Sequence, residues 1–150
     1  MTKTTDLSII ILNYNSGNYL QKCLKSIAQS DSENYQIETI IVDNCSTDES
    51  VHLAQQVKLK NSNFLLLKSN NGFAYGNNQG LKKINPKTRF VLFLNPDTLV
   101  NKDTLKKMIE FFDQDKNVDA ATCQIDLALT GKMQPECHRG FPTPCKQIKT

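Results

Sequence analysis

Apolar residues recur on two periods along this chain, and the switches between them mark out its elements. Leu7-Ser8-Ile9-Ile10-Ile11-Leu12 is a nearly unbroken apolar, β-branched run, as in a strand buried on both faces. Ser16 is placed to cap a helix, in which Leu20, Cys23, Leu24 and Ile27 follow the i, i+3, i+4, i+7 stripe of one buried face. Residues 36–42 read as a second strand. Ser46-Thr47-Asp48-Glu49 matches a capping box, followed by a weaker helical stripe to about Leu59. Residues 63–68 give a third strand, and Asn70-Asn71-Gly72 a turn. Residues 73–84 read as a helix despite Gly76 and Gly80, stopped by Asn85-Pro86. Residues 88–94 form a fourth strand. Asn101 caps a helix carrying Leu105, Met108, Ile109 and Phe112 on its inner face. Residues 118–125 are expected to be a fifth strand. From Leu127 the stripe disappears, and Gly131, Pro135, Gly140, Pro142 and Pro144 punctuate a short strand or hairpin and a loop. Regular strand–helix alternation predicts an α/β fold, with right-handed crossovers and a mainly parallel sheet flanked by helices.

Composition narrows the class without changing that picture. The 150 residues are 39% hydrophobic and 22% charged, which suits one domain with an adequate core. A net charge of +3, with scattered lysines, argues against a nucleic-acid partner. The five cysteines form no C-x-x-C pair, and with only two histidines there is no zinc spacing. They read as reduced thiols, Cys23 as a small core residue. The apolar run near the start is too short for a signal peptide or membrane span, so the expected location is cytoplasmic, with at most peripheral membrane contact.

Three strands end in polar side chains. The first runs into Asn13-Tyr14-Asn15, the second into Asp43-Asn44, the fourth into Asn95-Pro96-Asp97. Ligands of open α/β sheets bind at that carboxyl edge. Asp97 is either a β-turn residue or a ligand for Mg²⁺ or Mn²⁺, which take hard oxygen donors; Asn95 would add a neutral oxygen. Asp43 is either a helix cap or, if Ser46 takes that place, a free acceptor for a pyrimidine N–H. Tyr14 either covers a helix end or stacks on the base. The Gly- and Asn-rich segment 71–80 suggests close backbone approach to a ligand or to the sheet. It is neither a dinucleotide fingerprint nor a Walker A loop. Arg139 is either a solvated loop residue or a diphosphate ligand. No serine or cysteine has a convincing base beside it.

Together, segments 9–15, 41–48, 70–80 and 92–97, with Gly131-Lys132-Met133-Gln134-Pro135 and Arg139-Gly140-Phe141-Pro142-Thr143, resemble the family 2 glycosyltransferases of GT-A (Rossmann-like) fold, most closely a rhamnosyltransferase-like branch. The resemblance spans nearly the whole chain. It implies a UDP- or dTDP-linked sugar donor, rhamnose among the candidates, and a saccharide or lipid-linked acceptor in cell-surface glycan synthesis. It implies base contacts at Tyr14 and Asp43, and donor contacts at Asn13, Asn15, Asn44, Gly72, Asn77, Asn78, Asn95, Asp97 and Arg139. Asn95-Pro96-Asp97 stands where the family carries D-x-D, so one charge is missing from the metal motif. Transfer would invert the anomeric carbon, with a carboxylate base lying beyond residue 150; Asp126 and Glu136 do not sit in its expected context. The chain therefore reads as the donor-binding portion of a longer enzyme. The alternatives are a non-catalytic nucleotide-sugar binding module and, less well matched, a nucleotidyltransferase, which would want a basic residue in Asn13-Tyr14-Asn15-Ser16-Gly17.

Overall fold

A computed structural model describes residues 4–32 and 34–134. The backbone divides into two units, Met1–Asp113 and Gln114–Thr150. The first holds four strands, β1 (Thr5–Asn13), β2 (Ile37–Asp43), β3 (Ser62–Leu66) and β4 (Thr88–Leu94). Between and after them come α1 (Tyr19–Ala28), α2 (Ser50–Gln55), α3 (Phe73–Leu81) and α4 (Thr104–Gln114). All strand pairs are parallel, in the order β3-β2-β1-β4. The predicted α/β architecture is therefore the observed one.

The central strand is apolar on both faces because both are covered. Leu7, Ile9 and Ile11 of β1 pack with Leu20, Cys23, Leu24 and Ile27 of α1, Ala54 of α2, and Leu105 and Ile109 of α4. The other face, Ile10 of β1 with Ile40 and Val42 of β2, forms a smaller cluster with Leu12, Leu65, Leu67 and Ile84. There α3 lies close to the sheet because it presents glycines. A Cβ on Gly76 would run into the Leu12 side chain, and one on Gly80 would sit 2.7 Å from Ile10 Cγ2 and 2.9 Å from Val42 Cγ2. Close packing, rather than helix propensity, accounts for these two residues in a helix.

Four local expectations are corrected. Helix α1 begins at Tyr19 with Asn18 at its N-cap, because the Ser16 hydroxyl donates to Asn13 Oδ1 instead. The Ser46–Glu49 capping box does not form: α2 starts at Ser50, and Asp48 Oδ1 accepts the Ser50 N–H. That helix also ends at Gln55 rather than near Leu59. Finally, residues 118–125 form no strand. Most of them are exposed, and apolar character without a ladder partner does not make a strand. The second unit instead contains an isolated antiparallel bridge, Asp126 to Met133, around a turn in which the Thr130 and Gly131 amides donate to Leu127 O.

Gly80→Ala gains helix propensity but overpacks two β-branched side chains that have little rotamer freedom. We expect a net loss of about 1–3 kcal/mol, read as a lower urea midpoint with unchanged slope.

Candidate functional site

The parallel register brings the three polar strand ends to one edge. Asn13 lies beside Asp43, and Ile11 lies beside Leu94, so Tyr14, Asn44 and the turn after Leu94 emerge together. A cavity of about 760 Å³ opens there, within the range of small-molecule sites. Tyr14, Asn44, Gly72, Asn95 and Asp97 line it. So do residues that the sequence pattern did not single out as ligand contacts: Leu12, Ser16, Tyr19, Asn70, Phe73 and Pro96. The signal for two of them was present. Tyr19 falls off the buried stripe of α1, and Phe73 opens a helix whose sheet contacts are made by glycines.

Asp43 occupies a different place from the one expected. It is 5% exposed and is not among the lining residues. Its Oδ1 accepts from Asn13 Nδ2 at 2.8 Å and from Ser46 Oγ at 2.6 Å, and its Oδ2 accepts from the Ser46 N–H at 2.9 Å. Ser46 is thus spent on Asp43 and not on capping α2, which removes the reason for thinking Asp43 free. A carboxylate withdrawn from water needs such donors, and here they stitch the β1 and β2 loops together. Asn13, fully buried, also reaches Ser50 Oγ at 2.9 Å. Asn15, at φ 47°, donates its N–H to Ser46 Oγ and accepts the Thr47 N–H on its Oδ1. Asp48 receives the Gly17 N–H at 2.8 Å. Burial pushes the Asp48 carboxyl up, but hydrogen bonds from Ser50 and Gly17 outweigh it and hold the group below the usual carboxylate range.

Asn44, the residue after Asp43, does line the cavity. It is 2% exposed. Its Nδ2 donates to Asn70 Oδ1 at 2.6 Å and lies 3.5 Å from Gly72 O. Its Oδ1 is the one buried side-chain polar atom without a partner among the described residues. A buried acceptor left open is costly, and a ligand N–H or O–H would satisfy it. The same Asn70 oxygen takes the Gly72 N–H at 3.0 Å, fixing the turn at φ 88° that starts α3. Asn77 is buried and donates to Phe73 O at 3.0 Å; it supports the site from behind. Asn78 is exposed and is not a lining residue. Arg139 and His138 lie outside the described residues.

Asn95-Pro96-Asp97 forms the far wall. The Thr98 N–H closes the turn onto Asn95 O at 3.2 Å, so Asp97 is a turn residue that also faces the cavity. No cluster of three His, Cys, Asp or Glu suited to a metal occurs among the described residues. One carboxylate with a neighbouring amide fits a cation that takes its remaining oxygens from a ligand's phosphates. Beneath the turn, the Cys23 thiol points at Asn95 O, 3.9 Å away. Burial, and secondarily the Asp97 charge, pushes this thiol up to about 12.

The sequence profile described as "Glycosyl transferase family 2" matches residues 8–144. The chain belongs to this family. Poly(ribitol-phosphate) beta-N-acetylglucosaminyltransferase TarS of Staphylococcus aureus is 32% identical over 108 residues, 71% of this chain but 19% of TarS. The minor teichoic acid biosynthesis protein GgaA of Bacillus subtilis is 31% identical over 121 residues, 79% of this chain and 27% of GgaA. The crystal structure of TarS 1-349 with UDP-GlcNAc superposes with a TM-score of 0.67 at 33% identity, over 73% of this chain and 32% of that one. A mannosyltransferase from Pyrobaculum calidifontis, in complex with GDP-Man and Mn²⁺, shares the fold at TM-score 0.70 and 20% identity, over 86% of this chain and 38% of its own. The chain thus spans less than half the length of these relatives. The GT-A fold and family expectations hold, and none of the relatives named here is described as a rhamnosyltransferase.

The thiols give a direct check on the site's interior. Burial holds Cys23 as the unreactive thiol, whereas Cys45 is exposed. We expect iodoacetamide to alkylate Cys45 and spare Cys23 in the folded protein, read by peptide mass mapping. Equal modification would show that the turn over Cys23 is not packed as described.

Proposed function

We propose that this chain binds the nucleotide-sugar donor of an inverting glycosyltransferase that builds cell-surface glycan, with a UDP-linked sugar as donor. One observation carries the reading. Ring, amide and carboxylate groups from three separate strand ends line a single cavity, and one of its lining residues, Asn44, carries a buried acceptor, Oδ1, with no partner among the described residues. The placement of Asn44 after β2 and of Asp97 after β4 supports one direction for the ligand. The base lies over the β2 end, the ribose crosses β1, and the diphosphate reaches the turn after β4.

In this arrangement Tyr14 stacks on the pyrimidine, and Asn44 Oδ1 accepts its imide N–H, the role that the sequence pattern had suggested for Asp43. Asn13, Asn15 and Asp43 act beneath the ligand, holding the two loops in register, and Gly72 lets the start of α3 approach it. Asp97 and Asn95 hold Mg²⁺ or Mn²⁺ against the diphosphate. A divalent ion bound there supplies charge stabilisation for the departing nucleoside diphosphate. With a single carboxylate in the wall, affinity for the ion depends on the nucleotide's own phosphates. The UDP and UDP-GlcNAc complexes of TarS support uridine as the base. The named teichoic acid proteins support an acceptor that is a saccharide or a lipid-linked polymer. We place the reaction in the cytoplasm; no described helix is long and apolar enough to cross a membrane.

Calorimetry with UDP, with and without Mn²⁺, tests this. The wild-type protein should bind UDP more tightly with Mn²⁺ present, and Asp97→Ala should abolish that enhancement while leaving the melting temperature in place. Asn44→Ala should weaken UDP by a factor of about 5–150, the worth of one buried hydrogen bond at 1–3 kcal/mol, with little change for Mn²⁺-pyrophosphate. A wild-type protein that binds no nucleoside diphosphate in either condition would end the proposal.

A further inference from the structure

Phe73 is 68% exposed, yet its backbone is among the most firmly held in the site. Asn70 Oδ1 takes the N–H of the preceding residue, Asn44 Nδ2 lies 3.5 Å from that residue's carbonyl, and Asn77 Nδ2 donates to Phe73 O at 3.0 Å. Asn44 and Asn77 are themselves buried. Three side-chain amides therefore fix the backbone around a ring that is left in water. Tyr14 mirrors it. It is 52% exposed and is followed by Asn15, whose N–H and side chain are both bonded to the β2–α2 loop. The two rings rise from different elements, the end of β1 and the start of α3, and line the same cavity. Asn44, whose buried Oδ1 has no partner among the described residues, lines that cavity with them. The third exposed ring of the cavity, Tyr19, already carries Lys22 Nζ at 5.6 Å from its centroid; neither Tyr14 nor Phe73 has a ring or cation contact among the described residues.

We propose that Phe73 is a further base-binding residue, packing on the second face of the base, so that the pyrimidine is held between Tyr14 and Phe73 while Asn44 reads its edge. The inference rests on the donor-nucleotide reading above. The position of the ring favours the base over the rest of the ligand. Phe73 is one peptide from the group that holds Asn44, at the β2 side of the sheet. The Asn95–Asp97 turn extends from β4, on the other side of β1, two strand spacings or about 10 Å away. A preorganised ring loses little further freedom on binding and buries its apolar face only when the base is present.

Three proteins and three ligands test it. UDP, UDP-GlcNAc and inorganic pyrophosphate, each with Mn²⁺, are titrated into the wild type, Phe73→Ala and Phe73→Tyr. Removing the ring should weaken UDP and UDP-GlcNAc alike by about tenfold or more, the range found for base–aromatic stacking, and leave pyrophosphate within about twofold. Phe73→Tyr should restore UDP binding, which a purely structural effect of truncation would not require. Unchanged UDP affinity in Phe73→Ala, against a wild type that binds UDP, overturns the clamp and leaves the donor reading standing. So does an equal loss for UDP and pyrophosphate, or a loss confined to UDP-GlcNAc, which would give the ring to the sugar. A wild type that binds no UDP overturns both.

Discussion

The hydrogen bond from Asn13 Nδ2 to Asp43 Oδ1, 2.8 Å long, is the contact on which the rest of the site depends. It joins the last residues of two neighbouring parallel strands at the point where each chain leaves the sheet. A parallel ladder sets the register of the strands but says nothing of the loops beyond them. Here a buried carboxylate with three donors carries that register forward. Ser46 is drawn down onto it, and the Asn15 N–H is drawn onto Ser46. A lone buried charge would be expensive, and so would a lone buried amide; together they make the strand ends a rigid platform. Tyr14 and Asn44 sit one residue beyond that platform, which is why an exposed ring and a buried amide can hold fixed positions on loops.

The second support comes from α3. Its glycines bring its backbone against Leu12, Ile10 and Val42, closer than any residue with a Cβ permits without displacement. That approach carries the Asn70–Gly72 turn over the end of β2, within reach of the Asn44 amide. The asparagines of this segment then divide the work. Asn70 bridges the Asn44 side chain and the Gly72 backbone, Asn77 ties the first turn from the buried side, and Asn78 faces outward. A density of Gly and Asn that looks like a loop in composition is a helix start built to sit on a sheet.

Much of this was legible in the residues. The near-continuous apolar runs gave four of the strands and their parallel arrangement, because strands covered on both faces lose the alternation of half-exposed ones. The polar residues at the strand ends pointed to one edge, and Tyr14, Asn44, Asn95 and Asp97 do meet there. What the pattern could not resolve was competition between near-equivalent partners. Ser46 at a capping-box position had two partners to choose from, the free N–H donors of a helix start and the oxygen of a buried carboxylate, and the carboxylate won because its need is greater. The same choice decided which of Asp43 and Asn44 lines the cavity, a difference of one residue and so of opposite sides of the strand. The run at 118–125 failed for another reason: a strand is defined by its neighbour, and apolar composition does not supply one. Tyr19 and Phe73 were passed over because a search for buried stripes discards the aromatic that does not belong to one.

Leu12 has two duties. It is the side chain against which Gly76 closes, and it is also part of the cavity wall. The fit of a helix and the shape of the cavity therefore run through one leucine. Descendants of this sequence cannot remodel the floor of the site there without repacking the helix above it. Diversification toward other ligands is channelled to the rim, where exposed rings can be exchanged at little cost to folding.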